Sequence, residues 1–599
     1  MTATTGYFTL GRFLPLTFLF TLVPTAVGFA QPLLSDCTAS QIQPLAPAGM
    51  TIAPVTNANL DLGPQPTGAL AVPPDGALPG FCQLTGTVVT NKKTGKTANF
   101  GVLLPENWNG KFLFAGCGGL CGFVFGSGVP FGALIKGYAV AATDDGHQST
   151  QSVFEAGWAL ASKGAPDQDS LLDVYYRAVH TVAIASKELI QNWYSKALRR
   201  SYFQGCSGGG REGLVEAVRY PTDFDGIIAG DPTSDYRGRT IRLFSTTKAL
   251  LKSSTAYIDP GLLTLIDQKV LERCDALDGV KDGLIQNPAR CDFEAESLLC
   301  SNGLTTGCLT EDQLGVLHNY LYAATDERGL IASFGGPITD LVQSSLATDV
   351  EGAGPPTDIH AAEPWGTSPP ISWFAADNIL RFMVYRNSDF NSNSGFPVSF
   401  SSVVADSAIR LLDRRTEGLD GDEPTALGPF LAGGGKLILY QGYSDGRVSP
   451  FATIRFYQDT ASHEGGYERL QEGARLFLEP GMHHCGGGPG PNSFDLLAAL
   501  EGWVEKDIAP DAIPALKFLD NNPSMGIVRS MPLCKFPEMA HYNGSGNIND
   551  ASNWTCPSGD RSLLSTGLDG DRAGVRGIVV PERRVWEEKD PDGSPVHEH

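Results

Sequence analysis

Short apolar runs that close on Gly, Pro or Asp recur from about residue 98, and stretches with helical spacing separate them. "FGVLLP" (100–105), "KFLFAGCG" (111–118) and "YAVAATD" (138–144) are strongly apolar, as strands buried on both faces are. Residues 170–196, "SLLDVYYRAVHTVAIASKELIQNWYSK", space their apolar positions as a helix does. "SYFQG" (201–205) predicts another strand, "REGLVEAVRY" (211–220) a helix and "FDGIIAGDP" (224–232) a further strand. Such alternation predicts an α/β sheet.

After Asp231-Pro232 the rhythm stops for roughly two hundred residues. This stretch is rich in Gly, Pro, Ser and Asp, and it holds Trp365, Trp373, Phe374, Tyr385 and Phe390. "GGGKLILYQGYSDG" (433–446) and "ARLFLEPGMHHCGGG" (474–488) restore the strands, and "SFDLLAALEGWVEKDI" (493–508) predicts a closing helix. The pattern therefore divides the chain into a first core segment (31–232), an insertion (233–430), a second core segment (431–585) and a flexible tail (586–599). Residues 1–30 are set apart: Arg12, the apolar run Phe13 to Val23 and the small residues near Ala30 make an export signal too short to span a bilayer comfortably.

At 599 residues the chain is long enough for more than one packing unit, and 42% hydrophobic with 18% charged residues is a globular composition. A net charge of −22 without a Lys/Arg patch excludes a nucleic-acid partner, and no later run predicts a membrane span. Twelve cysteines in an exported chain suit an oxidising compartment, extracellular or periplasmic, and their spacing is not that of a zinc site.

"GCSGG" (205–209) fits the G-x-S-x-G elbow that presents a serine nucleophile on a strand-to-helix turn. A serine needs a neighbouring base, and the two returning strands end in Asp445 and His484, in the order Ser, acid, His. Cys206 precedes Ser207, and Cys485 follows His484. A bridge between these cysteines limits the Ser207 and His484 Cα atoms to about 14 Å apart, although 277 positions separate them in sequence. The elbow supplies one oxyanion donor from Gly208; the glycine-rich loop after "KFLFAG" is the place for another. A second motif, "CDALDGVKDGLIQNPARC" (274–291), crowds Asp275, Asp278 and Asp282 together. Such carboxylates either hold a hard cation or form a solvated acidic loop, and the residues alone leave both readings open.

"QGCSGGGREGL", "YQGYSDGRVSP" and "PGMHHCGGGPG", with "GYAVAATDDGH" upstream, resemble the tannase and feruloyl esterase family, which includes mono(2-hydroxyethyl) terephthalate hydrolases, over about residues 37–560. The resemblance implies an α/β-hydrolase core, with the insertion as a lid domain placed after the elbow. It implies Ser207, Asp445 and His484 as the triad, although His483 stands where the family often has Gly. It places the second oxyanion donor at Gly118 or Gly119. It further implies a structural Ca²⁺ held by Asp275, Asp278 and Asp282 with the carbonyls of Val280 and Leu284. The implied bridges are Cys206–Cys485, Cys274–Cys291, Cys37–Cys82, Cys300–Cys308 and Cys534–Cys556; Cys117 and Cys121 are left over, and a ring between them beside the oxyanion loop carries strain. The activity implied is a secreted carboxylic-ester hydrolase acting on small aromatic esters, such as those of plant polymers. Terephthalate half-ester hydrolases offer an aromatic residue just after the acid, whereas Val448 stands three residues after Asp445 here, which favours feruloyl or galloyl esters over terephthalate half-esters. In the lid, Arg381 and Arg386 are basic residues placed to meet a carboxylate or phenol, or to pack at the surface. A non-catalytic, calcium-stapled binding protein is the reading from a different class.

Overall fold

The computed structural model describes residues 36–53, 79–126, 128–301, 306–352, 354–399, 402–421 and 426–563. The export signal and the tail lie outside these residues. Nine strands form the central sheet: β1 (Met50–Ile52), β2 (Phe81–Asn91), β3 (Lys96–Pro105), β4 (Lys111–Ala115), β5 (Ala139–Thr143), β6 (Arg200–Cys206), β7 (Gly226–Gly230), β8 (Lys436–Gly442) and β9 (Ala474–Glu479). Their order across the sheet is β1-β2-β3-β5-β4-β6-β7-β8-β9. The first four in that order pair antiparallel, and from β5 to β9 every neighbour is parallel. This is the sheet of an α/β-hydrolase.

Side chains alternate between the two faces, and the apolar runs supply both. Phe112, Phe114, Phe203, Leu437, Leu439, Leu476 and Leu478 enter one core with helices α1 (Ala178–Tyr194), α2 (Gly208–Arg219) and α3 (Pro450–Glu464). Leu113, Tyr202, Ile438, Tyr440 and Phe477 enter the opposite core, covered by α4 (Leu496–Lys506). Parallel strands need such cover on both sides, which is why these strands read as apolar throughout.

Between β7 and β8 the chain leaves the sheet and builds a further core, to which a few residues before β6 (Leu120, Ala156, Ala159, Leu171 and Val174) also contribute. The aromatics that stand out in this stretch pack against one another: Phe244 on Trp373 at 4.8 Å, Trp365 on Trp373 at 5.4 Å, and Tyr385 on Phe390 at 3.7 Å between ring centroids. Cys274–Cys291 and Cys300–Cys308 are bridged here. Arg381 is engaged inside the lid by Asp377 and Glu363, each at 3.1 Å, and by the Ser388 carbonyl. Its guanidinium is thereby satisfied as surface packing.

Candidate active site

β6 runs into α2 through Ser207, whose φ of 64° and ψ of −120° lie where a residue with a β-carbon is strained. The strain is held by the Ser207 N–H on the Gly230 carbonyl (2.9 Å) and by the Arg211 and Thr233 N–H groups on the Ser207 carbonyl (3.0 and 3.1 Å). The glycines around the serine are required by close approach. A β-carbon on Gly205 would stand 2.4 Å from the Gly209 carbonyl oxygen, and one on Gly208 would stand 2.3 Å from that of Gly119. The elbow thus lets strand, helix and the Cys117–Gly119 loop touch through backbone alone.

β8 and β9 deliver the other two side chains. His484 Nε2 lies 2.8 Å from Ser207 Oγ, and its Nδ1 lies 2.7 Å from Asp445 Oδ2. Asp445 is fully buried; its Oδ1 accepts the Arg447 and Val448 N–H groups at 2.7 and 3.0 Å. Burial alone pushes this carboxyl up, but the neighbouring imidazole and these hydrogen bonds prevail and hold it at about 2. With Asp445 ionised, Nδ1 carries the imidazole proton and Nε2 is free to accept from the serine hydroxyl. His483 faces elsewhere, with its Nε2 on Asp340 Oδ2 in the lid. The histidine beside the cysteine is the one that meets Ser207.

Cys206 and Cys485 are bridged, with Cα atoms 6.0 Å apart. Both neighbouring strands already lie in the sheet, so the bridge acts mainly on the loop that carries His484. Replacing both cysteines with serine is expected to lower kcat by about a hundredfold, the scale of a 1 Å misplacement, with KM little changed. Equal loss in kcat and in folded fraction would assign the bridge to stability instead.

The loop after β4 lies over Gly208. Gly119 has a φ of +63°, its carbonyl accepts the Tyr236 hydroxyl at 3.1 Å, and the Cys121 N–H closes a turn on Gly118 O at 3.0 Å. Cys117 and Cys121 are bridged across this turn. The Cys117 N–H is held at 3.0 Å by Glu212, a buried carboxyl of α2. That leaves the Gly118 and Gly119 N–H groups, with that of Gly208, as the candidates to face a developing oxyanion.

Residues 82–557 match the family model described as tannase and feruloyl esterase. The chain belongs to the tannase and feruloyl esterase family. Its members are carboxylic ester hydrolases, and so is this chain. It is 31% identical to an uncharacterized esterase of Xanthomonas campestris pv. campestris, over 83% of this chain and 88% of that one. It is 30% identical to a probable feruloyl esterase B-2 of Aspergillus flavus (76% and 84% covered) and 29% identical to the mono(2-hydroxyethyl) terephthalate hydrolase of Piscinibacter sakaiensis (80% and 85%). Among solved structures, feruloyl esterase B from Aspergillus oryzae superposes with a TM-score of 0.68 at 24% identity, covering 88% of this chain and all of the other. Tannin acyl hydrolase from Aspergillus niger gives 0.70 at 23%, covering 90% and 99%. These two share the fold.

In this tannase-family chain the acidic loop forms a short helical turn, Asp275–Asp278, closed by the Cys274–Cys291 bridge. Each aspartate already takes backbone N–H groups: Asp275 from Asp282 and Gly283, Asp278 from Val280, and Asp282 from Leu284, at 3.1–3.2 Å. Burial, then Asp282 among its neighbours, pushes Asp278 up to about 6. The Arg529 guanidinium lies 3.4 Å from Asp282 and offsets part of the charge, and the all-oxygen donor set of the loop fits a hard cation. Among the described residues, the groups of acidic, His or Cys ligand atoms that converge within 4.8 Å do not include this loop. Carbonyl oxygens are needed to complete a shell here.

Sequence reasoning passed over four polar residues that the structure brings to the site: Asp231, Gln441, Glu212 and Tyr236. Gln441 Nε2 bonds both Asp231 and Asp445, at 2.8 and 3.1 Å. "AGDP" and "YQG" carry two of them, one residue beyond β7 and the penultimate residue of β8, where a sheet of this kind gathers its chemistry.

Proposed function

We propose that this chain is an exported serine esterase that cleaves esters of phenolic aromatic acids, such as feruloyl or galloyl esters, through an acyl-enzyme. The observation that carries this reading is the unbroken hydrogen-bond chain Ser207–His484–Asp445 at an elbow faced by backbone N–H groups. His484 takes the Ser207 proton as the serine attacks the ester carbonyl, and Asp445 orients the imidazole and stabilises its charged form. Gly208 and the Gly118/Gly119 turn hold the oxyanion. His484 then protonates the departing alcohol, and water attacks the acyl-enzyme with His484 again as base.

The names of the relatives, feruloyl esterase and terephthalate half-ester hydrolase, support a flat aromatic acyl group. Val448, three residues after Asp445 and with its N–H on that carboxylate, supports the phenolic choice, because the turn after the acid, Gly446 to Val448, offers no aromatic ring. Export is supported by the leader sequence and by six bridges that join all twelve cysteines. No helix among the described residues is long and apolar enough to cross a membrane. An active-serine phosphonate is expected to label Ser207; absence of labelling in folded protein sinks the esterase mechanism and favours a binding protein. A panel of methyl ferulate, methyl gallate and the terephthalate half-ester then tests the acyl group. Preference for the half-ester would overturn the phenolic assignment.

The lid loop is assigned a structural Ca²⁺, held by Asp275, Asp278 and Asp282 with the Val280 and Leu284 carbonyls. It takes no part in the ester chemistry. A chelator is expected to lower Tm, since an ion bound only to the folded state stabilises it by about 2.7 kcal/mol at a hundredfold excess over Kd. Turnover per folded molecule should barely change. Protein that purifies gently without calcium, and melts the same with chelator, removes the site.

A further inference from the structure

Asp231 sits just beyond the C-terminal end of β7 with its backbone in the left-handed region, φ 38°. A glycine adopts that conformation without strain, so a side chain held there is a side chain in use. Its carboxyl turns under β8 and is fully buried. Oδ1 accepts the Gly442 N–H and Gln441 Nε2, both at 2.8 Å, while Oδ2 accepts the Cys485 N–H at 3.2 Å and lies 3.4 Å from the bridged sulfur of Cys206. One carboxyl oxygen of Asp231, one of Asp445 and a ring nitrogen of His484 all lie within 4.8 Å of one another, and Gln441 Nε2 donates to both carboxyls, at 2.8 and 3.1 Å. Glu479, equally buried and without a hydrogen-bond partner for its carboxyl among the described residues, adds its influence from β9, and the Tyr440 ring packs close by.

Two carboxyl groups this close and this deeply buried repel each other when both are ionised, so the pair keeps a proton. We infer that Asp231 is a positioning residue held as a neutral acid, accepting from the Cys485 N–H and from the Gln441 amide that also holds Asp445, so that the acid and the histidine loop are held as one unit bearing a single negative charge. This rests on the triad reading above. The proton belongs on Asp231 because Asp445 faces the imidazole that becomes charged, and a carboxylate there stabilises it. Burial, followed by the charges of Asp445 and Glu479, pushes Asp231 well above the usual carboxylate range, in the same direction.

Two variants separate positioning from bulk stability. Asp231→Asn keeps an uncharged side chain and the oxygen that accepts from Gly442 and Gln441 but loses the acceptor for the Cys485 N–H, and should cost about tenfold in kcat, the scale of one hydrogen bond. Asp231→Ala removes every contact and should cost about a hundredfold in kcat with KM nearly unchanged. Rates are referred to sites titrated with the phosphonate, so unfolded protein does not count. The infrared difference between wild type and Asp231→Asn at neutral pH should show the loss of a protonated-carboxyl band, and this holds even if the alanine variant fails to fold. Loss of carboxylate bands alone, or equal damage from Asn and Ala, overturns the proposal. If Ser207 does not label in wild type the triad reading fails instead, and the infrared band still decides where the proton lies.

Discussion

Replacing Ser207 with alanine is expected to abolish ester turnover and leave the fold intact. The change removes one oxygen atom and keeps the β-carbon, so the elbow's strained backbone and its three backbone hydrogen bonds persist. His484 loses its contact with the hydroxyl but keeps Asp445. Nothing remains to attack the carbonyl, and kcat should fall by about a millionfold, to the residue left by oxyanion donors and binding. Thermal melting within a few degrees of wild type checks the fold. Retained turnover in this variant removes Ser207 from the chemistry.

Asp445→Asn should be nearly as damaging, at about ten thousandfold in kcat. The Arg447 and Val448 N–H groups still have an oxygen to meet, so the loop stays in place. The amide, however, presents N–H to His484 Nδ1 and favours the imidazole tautomer with its proton on Nε2. A protonated Nε2 cannot accept from Ser207, and the charged imidazole loses its counter-ion. His484→Ala should match the roughly millionfold loss of Ser207→Ala, because the base and the nucleophile act as a unit. His483→Ala should cost less than about tenfold, because it breaks only a tie to Asp340 across the lid. A His483 variant as inactive as the His484 variant would reverse the choice of base.

The parallel strands were legible in sequence because burial on two faces leaves little room for polar residues: "KFLFAG", "YAVAATD" and "KLILYQG" carry the pattern without help. That Ser207 and His484 meet was legible because Cys206 and Cys485 mark the same spot from opposite ends of the core. The lid was far less so. Its longest helices, Tyr236–Ala249 and Pro260–Cys274, are as long as those of the core, but its order comes from Trp365, Trp373 and Phe244 meeting one another and from two bridges, none of which makes a local period. Asp231 and Glu212 escaped for another reason. A carboxyl in sequence reads as surface, and only the folded chain shows that one accepts from Cys485 and the other from Cys117.

The insertion also sets an order of events. β7 must pair with β8, yet about 200 residues lie between them. At ribosomal speeds of roughly 5–20 residues per second, about 10–40 s pass between the emergence of these two strands. During that interval β7 is an apolar edge with unmet backbone groups, the kind of surface that recruits foreign strands. Only the lid, with a largely separate core, has the means to fold in the meantime. The nascent chain is therefore most exposed to aggregation with Ser207 already in place and Asp445 and His484 still to come, and a holdase that shields β7 would raise the yield of active enzyme more than one acting on the finished chain.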